Sequence, residues 1–223
     1  MLHLTPGQSR AAGLGGYAAI VVAAAAVYGT LGARPFSSDA SLLQRATALL
    51  FVGAGASAYR LPGLASPVRA LLATAGAWLA VDEWAMIHEC LKFGALARLT
   101  SGAGRDAVVL GYALVGAVVA AWVASRVRPP REALAHGVLA TLAVGGALLI
   151  DVAGVIRGPL AEVLEETAEQ VAAWGAIQCC AAAARRGPSA SWREALAVGA
   201  WSAAWLGAVA WLLKPLFCPA RFL

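Results

Sequence analysis

The sequence predicts an all-α fold: a polytopic membrane bundle of about seven transmembrane helices, forming one integral membrane domain over residues 1–223. Three observations carry that prediction. Apolar residues make up 61% of the chain and charged residues 13%, with a mean hydropathy of +0.73. A soluble domain has about 45–50% and about 25%. Seven stretches reach the ~20 mostly apolar residues that a bilayer crossing needs. The segments between them are short and rich in Pro, Gly and Arg, which break helices and leave no room for a soluble module. The same composition excludes a soluble enzyme and a disordered chain. The net charge of +5 comes from basic residues scattered singly between apolar runs, as membrane-flanking charges fall, so no nucleic-acid partner is expected. Four cysteines are too few for a disulfide scaffold.

The first span is Ala11–Ala33, closed by Arg34-Pro-Phe-Ser-Ser-Asp39. Its apolar core is longer than the 7–15 residues of a signal-peptide h-region, so the segment is expected to be retained. The second, Leu42–Arg60, ends at Arg60-Leu-Pro-Gly63, and the third, Val68–Lys92, at the Gly-rich stretch Ser101–Arg105. Ala107–Val127 is closed by Arg128-Pro-Pro-Arg131, and Ala133–Ile156 by Arg157-Gly-Pro159. Leu160–Ala184 stops at Arg185-Arg-Gly-Pro-Ser189, and Ala195–Leu213 completes the set. Runs such as Gly53–Gly55 and Gly145-Gly146 suit close helix packing. A cytoplasmic N-terminus places nine of the seventeen Lys and Arg residues inside, in dense clusters around Arg126–Arg131 and Arg185–Arg193. That orientation is preferred, and it puts the C-terminus outside.

The acids are placed unusually. Asp39, Asp106, Glu132 and Glu194 fall in loops or at helix ends, and Asp151 near the end of the fifth span. The other seven of the twelve lie inside two apolar spans. Span three carries Asp82, Glu83 and Glu89, with His88 beside them; span six carries Glu162, Glu165, Glu166 and Glu169. A charge at a helix centre costs about 2.5–3.5 kcal/mol on the insertion scale, so these groups must face the bundle interior, be protonated, pair with cations or lie at shallower depth. At about 100° per residue, the four glutamates at i, i+3, i+4 and i+7 form one stripe. On span three, Asp82 and Glu89 are seven residues apart and share a stripe as well. Spans three and six run antiparallel, and the acids fill the C-terminal half of one and the N-terminal half of the other. Both clusters therefore occupy the same leaflet, the outer one if the N-terminus is inside. Each covers about 10.5 Å of helix, pairing Glu89 with Glu162 and Asp82 with Glu169.

Carboxylates gathered in one low-dielectric volume repel each other, and a multivalent cation relieves that repulsion. Carboxylates plus one imidazole suit a divalent metal ion, Fe, Mn, Zn or Ca, rather than thiolate-seeking copper. The candidate metal ligands are Asp82, Glu83, His88, Glu89, Glu162, Glu165, Glu166 and Glu169. Di-iron bundles use similar chemistry on facing helices, so a dinuclear oxygen-rich site is the leading reading, although no Glu-x-x-His is present. The plainer reading makes Glu162 a solvated first-turn acid favoured by the helix dipole, with Arg157 as its partner. Asp151 reads as an acceptor for His88 or as a solvated helix end. Cys179-Cys180 reads as packing and Lys214 as a snorkelling residue. Cys90 and Cys218 fall on the same side, where a disulfide is open to them.

The Asp-Glu-x4-His-Glu run at 82–89, followed by Glu165-Glu166-x-x-Glu169, resembles uncharacterised bacterial multi-pass membrane proteins. The resemblance covers these two spans. It implies a shared site and residence in the bacterial cytoplasmic (inner) membrane. Three functions compete. One is a metal-dependent hydrolase or oxidase acting on a lipid or small molecule, with a spare carboxylate as general base. Another is a divalent-cation or proton-coupled transporter, for which the two halves show no convincing sequence match. The third is a non-catalytic subunit whose acids seat a partner's basic residues. Whether the chain turns over a substrate is left open by the sequence.

Overall fold

The computed structural model describes residues 6–32, 42–95, 107–152 and 155–218. The loop acids Asp39 and Asp106 and the separators Arg34–Asp39 and Ser101–Arg105 lie outside the described residues. Among the described residues the fold is all-helical. The long helices are α1 (Pro6–Leu31), α2 (Leu42–Tyr59), α3 (Ser66–Ala85), α5 (Ala107–Val127), α6 (Arg131–Asp151), α7 (Pro159–Ala184) and α8 (Trp192–Phe217). A single turn, α4 (Ile87–Cys90), follows α3 and runs into a π-helical turn over Leu91–Ala95.

The helix boundaries follow local chemistry. Pro159 opens α7 just after Gly158, whose φ of 82° a side-chain-bearing residue would resist. Ser191 and Glu194 close a reciprocal capping box at the start of α8, with both bonds at 3.2 Å.

Among the described residues four helices are long and apolar enough to cross a membrane: α1 from Arg10, α5 from Val109, α6, and α8 to Leu216. They stand at the periphery, with few of their residues buried. The less apolar α2, α3 and α7 lie at the centre. There α2 packs against α3, α7 and α8; α7 also packs against α6 and α1; and α3 packs against α8. Small residues permit the closest approaches. A Cβ on Gly76 would stand 2.6 Å from the Gly55 Cα, so α2 and α3 cross backbone to backbone. A Cβ on Gly16 would stand 2.3 Å from the Trp174 ring, whose Nε1 donates to the Gly13 carbonyl at 3.0 Å. That contact docks α1 on α7.

At the end where α2 gives way to α3, Arg60 donates from Nε to the Ala190 carbonyl at 3.0 Å and stacks over Trp192 at 4.2 Å. Glu132 is bridged there by Arg185 at 3.1 Å and Arg10 at 3.8 Å. At the opposite end Cys90 and Cys218 form a disulfide across 128 residues, tying α4 to the residue that follows α8.

Candidate cation site

Sequence reasoning treats 68–92 as one helix. The structure divides it at Met86, which adopts a left-handed conformation (φ 54°, ψ 43°). An L-residue resists that region, at about 1–2 kcal/mol. Asp82 holds the break. Its Oδ1 accepts the His88 backbone N–H at 2.7 Å, and its Oδ2 faces His88 Nδ1 at 3.0 Å. A carboxylate is an acceptor, so Nδ1 carries the proton in that bond. The other ring nitrogen, Nε2, is left facing Glu89 Oε1 at 3.5 Å.

The break overturns two sequence expectations. Asp82 and Glu89 do not share a helical stripe; they flank one imidazole. The pairings of Glu89 with Glu162 and of Asp82 with Glu169 are not formed, because Asp82 is turned to His88, and Glu162 is exposed on the first turn of α7.

What does meet across the two helices is Glu83 of α3 with Glu166 and Glu169 of α7. One carboxylate oxygen from each lies within 4.8 Å of the others. Glu83 is buried at 6% exposure, although Asp82 beside it turns to the opposite task. Glu166 and Glu169 sit three residues apart on an unbroken helix, so both reach the same point. Oε2 of Glu166 is buried without a hydrogen-bond partner. Glu165 is half-buried on the flank of this stripe. His88 lies within electrostatic reach of both Glu83 and Glu166, and Asp151, at the end of α6, within reach of Glu169. Asp151 is thus not the acceptor for His88, a place that Asp82 takes.

Several neighbours were not singled out by sequence. Gln44, near the start of α2, hydrogen-bonds the Glu83 carboxylate, and Thr47, one turn on, is fully buried. Gln170, next to Glu169, is buried at 7% exposure. Tyr112 of α5 accepts from Trp78 Nε1 at 3.1 Å and lies within electrostatic reach of Asp82. Parity is the signal that could have found Gln44 and Tyr112: α2 and α5 both begin at the end where α3 finishes. The arrangement offers three oxygen ligands from two helices, an oriented imidazole beside them, and a buried carboxylate oxygen still needing a partner.

No family model matches the chain, and no curated protein and no solved structure is similar to it.

Proposed function

We propose that the chain is a seven-span protein of the bacterial cytoplasmic membrane that holds a divalent cation on Glu83, Glu166 and Glu169. The observation that carries this reading is the convergence of those three carboxylates within 4.8 Å, with one Glu166 oxygen buried and unpartnered. An uncompensated buried acceptor on a charged group is costly, and a shared cation satisfies all three groups at once. An all-oxygen triad favours Mn2+ or Ca2+ among the metals named above. In a dinuclear centre, His88 and Glu89 would be the residues to hold the second ion. Asp82 then acts as the positioning residue that fixes the imidazole tautomer.

Seven crossings require α2, α3 and α7 to span as well. Their central position supports this, because the mid-helix acids Asp82, Glu83, Glu166 and Glu169 are turned toward other parts of the protein rather than outward. The Cys90–Cys218 disulfide supports an external C-terminus, since such bonds persist on the oxidising side of the membrane. The cluster then lies in the outer leaflet. Trp84, exposed there with Arg45 stacked 5.4 Å from its ring, suits the interfacial belt. The chemistry that fits is hydrolytic or oxidative, on a lipid or small molecule entering from that leaflet. A cation held by Glu83, Glu166 and Glu169 would supply Lewis-acid chemistry there, and a neighbouring carboxylate would take up the proton.

A transport route past Glu169 has less support. Beyond Gln170 and Trp174, the next polar residue along α7 toward the other face is Gln178, which lies about 180° around the helix from Glu169. It faces Gly13 and His136, and His136 is itself bonded to the Tyr17 hydroxyl at 3.0 Å. Elemental analysis of purified wild type, Glu166→Ala and His88→Ala tests the reading. Stoichiometric metal in wild type, lost in Glu166→Ala, is expected. Metal content unchanged in both variants rules the site out.

A further inference from the structure

The end of the molecule away from the acids carries the opposite charge. Three apolar spans terminate there: one starts at Arg10, one ends at Val127, and one starts at Arg131. Helix α7 ends beside them at Ala184. Contact among these termini is direct. Ala133, Ala182 and Ala183 are buried together, with Val123 and Val127 packed against them. Glu132 Oε1 takes both Arg185 at 3.1 Å and Arg10 at 3.8 Å. Around that carboxylate stand Arg10, Arg128, Arg131, Arg185 and Arg186, all exposed. Among the described residues Arg128, Arg131 and Arg186 take part in no ion pair. The α5–α6 turn also keeps an arginine at a left-handed position, Arg128 at φ 48°, where glycine is the less strained residue.

Arginines in such excess over acid attract an anion, and the setting narrows which. Arg126 stacks 5.6 Å from the Trp122 ring, an arrangement suited to the membrane interface. Leu134 and Val138, one and two turns along α6 from Arg131, are 47% and 58% exposed. An occupant therefore meets positive charge at one end and an apolar surface at the other. We infer that this patch binds the phosphate of an anionic phospholipid, with the acyl chains against Leu134 and Val138. In the orientation proposed above this is a lipid of the cytoplasmic leaflet. Arginine suits the phosphate, because its planar fork engages two oxygens at once. Clusters of basic residues at the ends of membrane spans recognise anionic head groups by the same charge complementarity. A soluble anion leaves the apolar surface unused, and a lipid uses both. The inference draws nothing from the cation site at the other end.

The test is electron spin resonance of chain-labelled lipids around the full chain in phosphatidylcholine bilayers. Labelled phosphatidylglycerol is expected to associate roughly tenfold more strongly than labelled phosphatidylcholine. That preference should shrink between about 0.1 M and about 1 M NaCl, as the screening length falls from about 10 Å to about 3 Å. Arg128→Gln, Arg131→Gln and Arg186→Gln together remove three exposed charges that hold no ion pair among the described residues, so the triple variant is expected to fold. Its preference should drop to about twofold or less, and lysine at the same three positions should recover most of it. Arg157→Gln, which removes an exposed arginine at the acid end, should leave the preference unchanged. Equal association of the two lipids with wild type, or a preference that the glutamine variant keeps, overturns the inference. So does abolition of the preference by inorganic phosphate at constant ionic strength, which marks a site for soluble anions.

Discussion

Replacing Glu166 by glutamine should change stability with opposite signs in the absence and presence of a cation. The ligand oxygens of Glu83, Glu166 and Glu169 lie within 4.8 Å of one another. Two unit charges at that separation repel by about 3.5 kcal/mol at an effective dielectric of 20. Glu166 belongs to two such pairs, and its Oε2 has no hydrogen bond over which to spread its charge. The amide removes both repulsions but brings a buried NH2 group, which costs about 1–3 kcal/mol where it finds no acceptor. At a pH high enough to ionise all three acids, the cation-free variant is therefore more stable than wild type, by at most about 4–6 kcal/mol, with roughly 2–4 °C in midpoint for each kcal/mol. With Mn2+ at a hundredfold excess over its Kd, wild type gains about 2.7 kcal/mol. The variant, one charged ligand short, gains less. The assay is thermal unfolding in nanodiscs followed by the fluorescence of the eight tryptophans, in EDTA and in Mn2+. A variant less stable than wild type in EDTA, with equal Mn2+ shifts for both proteins, would refute the reasoning.

Other perturbations probe the frame around the site. Gly16→Leu drives a side chain into the Trp174 ring and should loosen α1 by about 1–3 kcal/mol, read as faster proteolysis within α1 while the remaining helices stay protected. Cys90→Ser removes a cross-link spanning 128 residues. In the chain-entropy picture this costs about 4–5 kcal/mol, seen as a lower unfolding midpoint that dithiothreitol reproduces in wild type and leaves unchanged in the variant. Asp82→Asn keeps the acceptor for the His88 N–H but weakens the bond to Nδ1. Mn2+ affinity should fall roughly 10–100-fold, with 15N chemical shifts of His88 reporting a mixed tautomer; unchanged shifts and affinity would remove its positioning role.

Much of the scaffold was legible because membrane burial writes itself into composition. Among the described residues the seven long helices overlap the seven apolar stretches, and the separators Arg60–Gly63, Arg128–Arg131, Arg157–Pro159 and Arg185–Ser189 fall at helix ends. The stripe of Glu166 and Glu169 was legible for the same reason that α7 is regular: spacing fixes direction on an unbroken helix. Span three was not, because its acids are not on one helix. Nothing local marks Met86 for the left-handed region, and the break is held by Asp82, six residues before the N–H it captures. Once the chain turns there, His88 and Glu89 leave the α3 stripe, and Glu83 is the acid of α3 that meets Glu166 and Glu169 of α7. Gln44 belongs to a helix whose acids are absent, so no charge pattern pointed to it. The disulfide was legible only as two cysteines on one side.

The central claim is that Glu83, Glu166 and Glu169 share one cation. An experimental structure of the full chain grown with Mn2+, with anomalous differences recorded at the manganese edge, tests it most directly. A peak bounded by those three carboxylates, absent from crystals of Glu166→Gln, is the predicted result. Well-ordered density with the three side chains turned apart, or manganese seated only on other groups, would contradict it.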